Sequence, residues 1–278
     1  MEYSILSKGK RLRPIMTLMS GQSVGGKKDD LLDLAMALEL IHTASLIHDD
    51  VVDSDRIRRG KPTLYRNWKN KSILTGDICY ALACNLITQY GDSVWQIVSA
   101  GAMELCDGQF LDVSLSLQEC TEDEYLRKIR KKSASLFNVS AKAGAIVGGG
   151  SPDEITSLSN FGNLFGMAYQ LKDDLEELLD GQAPSDFLNG RVTLPYLRLY
   201  QNGNSHIRES LDRNFGSRRI PKEELASILG QIRESDTIEY CKKKISKYVE
   251  ESSDSLAQLR ESKEKNHLLE FVNQIIAV

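Results

Sequence analysis

The sequence predicts an all-α fold, and three observations carry that reading. Long amphipathic segments dominate the chain. Alternating Val-, Ile- and Thr-rich segments, the signature of half-buried strands, are absent. Only six prolines occur in 278 residues, and Pro14 and Pro152 fall where helices begin, so they break nothing. At 41 % hydrophobic residues the chain can bury a sizeable core. No internal repeat, low-complexity segment or linker divides it, so a single domain over residues 1–278 is expected.

The elements follow in order. A helix is expected from about Lys10 to Ser23, ended by Gly25-Gly26. Asp29 or Asp30 can cap the next, Leu31 to Asp53. The basic stretch Arg56 to Pro62 reads as a loop. Helices are expected over Ile73–Tyr90 and Ser93–Leu117, the second with Gly108, Gln109 and Asp112 inside it, and over Glu122–Gly148. Within the last, the small-residue run Ser140–Ala145 permits close helix contact, and the cations from Arg127 to Lys131 read as a solvated face. Pro152 starts a helix that reaches Leu179. A loop, Asp180–Gly190, and a short apolar segment, Arg191–Tyr200, follow. Further helices are expected at Ser205–Arg213, Glu223–Arg233, Asp236–Leu259 and Lys263–Ile276, with Lys242–Lys244 as another solvated face.

The net charge of −4 suggests neither nucleic acid nor a membrane surface as a partner. Five cysteines, an odd count without metal-type spacing, read as reduced thiols of a cytoplasmic protein. No uninterrupted apolar run reaches the ~18 residues of a membrane span, and the N-terminus shows no signal-peptide pattern.

The chemistry concentrates in Ile47-His48-Asp49-Asp50-Val51-Val52-Asp53. On a helix of ~3.6 residues per turn, Asp49 and Asp53 nearly overlie each other, with Asp50 ~100° around. At an effective dielectric of ~20, two carboxylates ~5 Å apart repel by roughly 3 kcal/mol. A divalent cation relieves that cost, and an all-oxygen set suits Mg²⁺ best. The spacing recurs at Asp173, Asp174 and Glu177. His42 lies ~10 Å below Asp49 on the same face. His48 sits off that face and reads as structural.

Gly9-Lys10-Arg11-Leu12-Arg13-Pro14, the run His42 to Asp53, Arg58-Arg59-Gly60-Lys61-Pro62-Thr63, Lys132-Ser133-Ala134-Ser135-Leu136-Phe137, Tyr169-Gln170-Leu171-Lys172-Asp173-Asp174 and Gly190-Arg191-Val192-Thr193-Leu194-Pro195 occur in that order. Together they resemble the trans-isoprenyl diphosphate synthases, the polyprenyl synthetase family, over roughly Gly9 to Tyr200. Any one motif is weak; six in order with two acidic clusters are a strong signal.

The resemblance implies a helical bundle around a deep central cavity, both acidic clusters facing each other at its mouth. It also implies head-to-tail condensation of isopentenyl diphosphate with an allylic diphosphate, with three Mg²⁺ per site, in a homodimer without a membrane-spanning segment. By resemblance, Asp49, Asp53 and Asp173 ligate metal, with Asp50, Asp174 and Glu177 in or near that shell. Arg58, Lys132, Ser133, Gln170 and Arg191 match positions that serve the allylic diphosphate. Lys10, Arg13, His42 and Arg59 match those that hold isopentenyl diphosphate. Small Ala44 and Ser45 stand where bulky residues shorten the product in the family, with Ala81, Ala83 and Cys84 on the next helix. A product of twenty carbons or more is therefore expected.

Departures from the pattern set up an alternative. Glu177 stands where the family usually has Asp, Arg191 replaces Lys, and Ser133 replaces Thr. The loop before Asn189 is short and lacks the usual Gly-Lys-x-x-Gly, which leaves Lys172 and Arg191 as candidates to compensate for its lysine. The chain begins eight residues before Gly9, where the family has further helix. A catalytically weak partner subunit of a hetero-oligomeric synthase is the second reading. A di-iron bundle is a third, from Glu39-x-x-His42 and Glu264-x-x-His267.

Overall fold

The structure, a computed structural model, describes residues 9–58, 60–179 and 184–276. Among these the only strands are β1 (Ile57–Arg58) and β2 (Lys61–Pro62), a two-residue antiparallel hairpin within the expected basic loop. All other regular structure is helical. The helices are α1 (Leu12–Ser23), α2 (Lys28–Val52), α3 (Leu64–Trp68), α4 (Ile73–Ile87), α5 (Gly91–Ser114), α6 (Glu122–Ile129), α7 (Ser135–Val147) and α8 (Pro152–Leu179). After them come α9 (Ser185–Asn189), α10 (Leu194–Asn202), α11 (Ser205–Asn214), α12 (Lys222–Glu234), α13 (Thr237–Ser255) and α14 (Lys263–Ile275).

Two compact units share the chain. The first runs to Ala102 and takes in Leu136–Gly162 and Leu256–Leu268; the second holds Met103–Ser135, Asn163–Ser255 and the chain from Leu269.

In the first unit α2 packs against α1 and α4 through Leu31, Leu34, Leu38 and Ala44, all without exposed surface. Asp29 and Asp30 do not cap α2. The helix starts earlier, at Lys28, and they occupy its first turn, where acids favour the positive end of the dipole. A window of α2 with mean hydropathy 1.3 is long and apolar enough to span a membrane by length and composition, although no uninterrupted run is. More than half of that window, 56 %, is buried inside the protein, as expected of a core helix. The run Ser140–Ala145 does allow close packing: a Cβ on Gly144 would stand 2.4 Å from the Thr17 carbonyl oxygen.

The helix expected over Glu122–Gly148 is not continuous. A capping box of Thr121 and Glu124 starts α6, but a π-helical turn, Arg130–Ala134, then separates it from α7. Such turns shift the facing of the residues within them and often mark functional sites. The cationic run is not uniformly solvated either. Lys128 is buried, donating 2.6 Å to the Val192 carbonyl. Lys244, also read as solvated, contacts Glu122 and stands over the Tyr240 ring. Part of the expected loop after Leu179 is helical, as α9, with residues 180–183 outside the described residues. Phe187, Tyr196 and Phe215 pack edge-on at 5.3–5.6 Å and anchor α9 to α10.

Candidate active site

The first acidic cluster ends α2. Asp49 and Asp50 lie in its last turn and Asp53 is its C-cap, with no basic residue in that turn. Anions there oppose the negative end of the helix dipole, at roughly 0.3–1 kcal/mol each. The end is closed by a left-handed Ser54, φ 56°, whose amide donates to the Val51 carbonyl while Asp55 donates to Asp50. This reversal feeds the β1–β2 hairpin, and the hairpin returns Arg58 to Asp50, Nε to Oδ1 at 2.7 Å. Burial raises the Asp50 carboxyl above its usual range, and Arg58 partly offsets that. Asp50 is thus committed to holding Arg58, while Asp49 and Asp53 are only half-buried.

The same unit carries Lys10, exposed, and Arg13, whose guanidinium lies 4.4 Å from the Phe137 ring centroid. Arg11 pairs with Glu39. His42 is half-buried and its carbonyl accepts from Ser45 Oγ at 2.8 Å. His48 contacts the Ile73 carbonyl at 3.2 Å and Asp77 at 3.4 Å, consistent with a structural part. Arg59 lies outside the described residues. Ala44 is fully buried and packs with Ile47 and Cys79. Ala83 is buried, but Ala81 and Cys84 are exposed, so Cys79 rather than those two lies beside Ala44.

The second acidic cluster lies in the last two turns of α8, whose last turn again holds no basic residue. Its three members differ in environment. Asp173 is exposed. Asp174 is buried and accepts from Tyr125 Oη at 2.7 Å and Gln170 Nε2 at 2.6 Å. Burial pushes its carboxyl up to about 6 despite these donors. Glu177 caps α9: its Oε1 accepts from the Ser185 amide at 2.5 Å and hydroxyl at 2.7 Å. Ser133 Oγ donates to Gln170 Oε1 at 2.6 Å, so Ser133, Gln170, Asp174 and Tyr125 form one chain of hydrogen bonds.

Beside it stands a cationic group around Asp112. Lys128 Nζ lies 2.9 Å from Oδ1 of that buried carboxylate; Lys132 Nζ lies 2.6 Å and Arg191 Nε 3.8 Å from Oδ2. Lys172, the other candidate to replace the missing loop lysine, donates to the Ile275 carbonyl at 2.9 Å instead. The motifs of the sequence do not include Asp112 or Lys128. The available signals were a charged residue inside a helix and the i, i+4 spacing of Lys128 and Lys132.

The model of the polyprenyl synthetase family matches residues 1–232. The chain belongs to the polyprenyl synthetase family. It is 38 % identical to the short chain isoprenyl diphosphate synthase of Methanothermobacter thermautotrophicus, over 78 % of this chain and 70 % of that one. It is 32 % identical to the geranylgeranyl diphosphate synthase of Methanosarcina mazei, over 99 % and 87 %. Among solved structures, the polyprenyl synthase of Caulobacter crescentus, complexed with calcium and isoprenyl diphosphate, superposes with a TM-score of 0.93 at 28 % identity, covering 100 % of this chain and 87 % of its own. As a member of the polyprenyl synthetase family, with the all-α isoprenoid synthase fold, the chain is a prenyltransferase.

The donor set can be tested against the divalent metal that the family implies. Among the described residues no three His, Cys, Asp or Glu side chains gather closely enough to hold an ion by themselves. Glu39, one of the residues of the di-iron reading, is paired with Arg11. Mg²⁺ commonly binds through one or two carboxylates, with phosphates and water completing its shell. Asp49 with Asp53, and Asp173, fit that mode.

Proposed function

We propose that the chain condenses isopentenyl diphosphate head-to-tail with an allylic diphosphate in an Mg²⁺-dependent reaction, giving a product of twenty carbons or more. One observation carries the reading most: Asp49 and Asp53 stand half-buried in the last turn and at the C-cap of α2 with no cation in that turn, an arrangement that opposes the helix dipole and that a bound metal would offset.

Asp49, Asp53 and Asp173 are the direct metal ligands in this reading, for three ions. When bound, Mg²⁺ neutralises charge on the departing diphosphate. Asp50 orients Arg58 toward the allylic diphosphate, and Asp174 with Ser133 fixes the amide of Gln170. Lys132 and Arg191 meet the same diphosphate, Arg191 supplying the charge that the short loop lacks. Lys10, Arg13, His42 and Arg59 hold isopentenyl diphosphate. Its double bond attacks the allylic carbon as diphosphate leaves, and the leaving group takes the proton released. Glu177 serves the metal shell only through its second oxygen, since Oε1 caps α9.

The chain works as one domain in a homodimer. Supporting this are apolar strips at helical spacing that stand exposed: Leu74, Ile78 and Leu82 on α4, and Met103, Phe110 and Val113 on α5. A second copy of the chain would cover them. A cytoplasmic location follows the same reading.

The test is turnover by the purified chain with Mg²⁺, isopentenyl diphosphate and geranyl or farnesyl diphosphate, read by mass spectrometry. Products longer by five-carbon units, lost with chelator and with Asp49→Asn, are expected. A folded, dimeric chain that makes none under these conditions would leave the partner-subunit reading in its place.

A further inference from the structure

Asp112 is a carboxylate buried to 4 % exposure inside an otherwise mixed helix, and three cations from two separate segments converge on it. Lys128 and Lys132 come from α6 and the π turn; Arg191 comes from the segment before α10 and also donates to the Asp112 backbone carbonyl at 3.3 Å. Surrounding charge holds the Asp112 carboxyl well below the usual carboxylate range against the cost of burial.

The arrangement is graded. The Lys128 side chain is 5 % exposed and sits beneath the carboxylate, tied to the Val192 carbonyl and over the Tyr125 ring. It also faces Asp174 and Asp186. The Lys132 and Arg191 side chains, 26 % and 14 % exposed, share Oδ2 and reach the surface side of the group. Two cations held side by side repel, and a single anion at their base offsets that repulsion while fixing their spacing. Ser133, next to Lys132, is hydrogen-bonded to Gln170, so the group is continuous with the residues assigned to the allylic diphosphate.

Resting on that assignment, we propose that Asp112 is a positioning residue for allylic-diphosphate binding: it touches no substrate itself but holds Lys132 and Arg191 together as one site for a phosphate. A purely structural ion group would show no such selectivity: removing one buried partner costs stability and would weaken both ligands alike.

Asp112→Asn keeps the shape and removes the charge. Its affinity for a non-reactive thio-analogue of an allylic diphosphate, and for isopentenyl diphosphate, would be measured by calorimetry beside its melting temperature. The analogue is expected to bind roughly tenfold or more weakly, with isopentenyl diphosphate within about twofold of wild type. In a Lys132→Ala background the same change is expected to cost about threefold or less, because the two residues act as a unit. Equal losses for both ligands, or full additivity with Lys132→Ala, would overturn the proposal. Should Asp112→Asn not fold, Asp112→Glu decides: it retains the charge one methylene further out, and wild-type affinity for the analogue sinks the idea. A wild-type protein that binds the analogue while Asp112→Asn matches it leaves the functional reading standing and removes only Asp112. A wild-type protein that never binds the analogue removes both.

Discussion

Gly108→Ala offers a direct probe of how the cationic site is built. Gly108 lies on α5, one turn before Asp112, where the helix meets the π turn backbone to backbone. A Cβ built there falls 2.1 Å from the Lys132 amide nitrogen, 2.5 Å from its Cα and 2.7 Å from the Lys131 carbonyl carbon, whereas ordinary contact begins at 3.4 Å. None of these atoms is the tip of a flexible side chain, so the two segments must part by roughly 1 Å or more. Overpacking of this kind costs about 1–3 kcal/mol, and Ala regains about 0.5–1 kcal/mol of that over Gly in a helix interior. The net expectation is a melting temperature lower by a few degrees. The larger effect should be functional. Lys132 sits 2.6 Å from Asp112, and a shift of about 1 Å takes it out of hydrogen-bond range. Misplacement on that scale can cost up to about 100-fold in turnover efficiency. Steady-state kinetics should therefore show a raised KM for the allylic diphosphate with KM for isopentenyl diphosphate little changed. A Gly108→Ala protein as stable as wild type, with both KM values intact, would refute the close approach and the reasoning built on it.

Other outcomes follow from single contacts. Glu177→Asp should lose its reach to Ser185 and expose that amide to hydrogen exchange, at about 1 kcal/mol for a lost cap; Glu177→Gln should keep the protection, and a metal-binding loss confined to Gln would separate the two roles. Lys69 stands at φ 52° and ψ −141°, a conformation that suits glycine, so Lys69→Gly should raise the unfolding free energy read from urea denaturation by about 1 kcal/mol. Ala44→Phe intrudes on a fully buried site beside Ile47 and Cys79 and should shorten the product by at least one five-carbon unit, read by chromatography. An unchanged length would remove Ala44 from product control.

How far the sequence could be read depended on whether a residue's partner was local. Helix α8 begins and ends at the residues that its pattern and Pro152 indicate, because amphipathic period and proline are local signals. The placement of Asp49 and Asp53 at the end of one helix was legible for the same reason: one helical turn separates them. Lys128 was not. Within Arg127–Lys132 every residue is cationic except Ile129, and only the fold distinguishes the one that faces Asp112 and the Val192 carbonyl. The π turn at Arg130–Ala134 left no mark either, since an i→i+5 bond has no compositional signature, although the Ser135 hydroxyl that takes the Lys131 carbonyl at 2.6 Å supports it.

The departures from the family pattern take on a common meaning once the contacts are known. A short loop after α8 shifts the burden of ordering Ser185 and Asp186 onto the end of α8 itself. Glu177, one methylene longer than Asp, reaches both amides, at 2.5 and 3.3 Å. The loop's missing lysine is the second departure, and in the proposed reading Arg191 would meet it from the other end of the same segment, where it stands with Lys132 against Asp112. Arginine suits that post better than lysine because its fork can engage Asp112 through one nitrogen and a phosphate through another. Arg191→Lys should therefore weaken allylic binding severalfold even though the charge is kept. If Lys serves equally well at position 191, planarity is not what the site requires, and the substitution there carries no compensation for the loop.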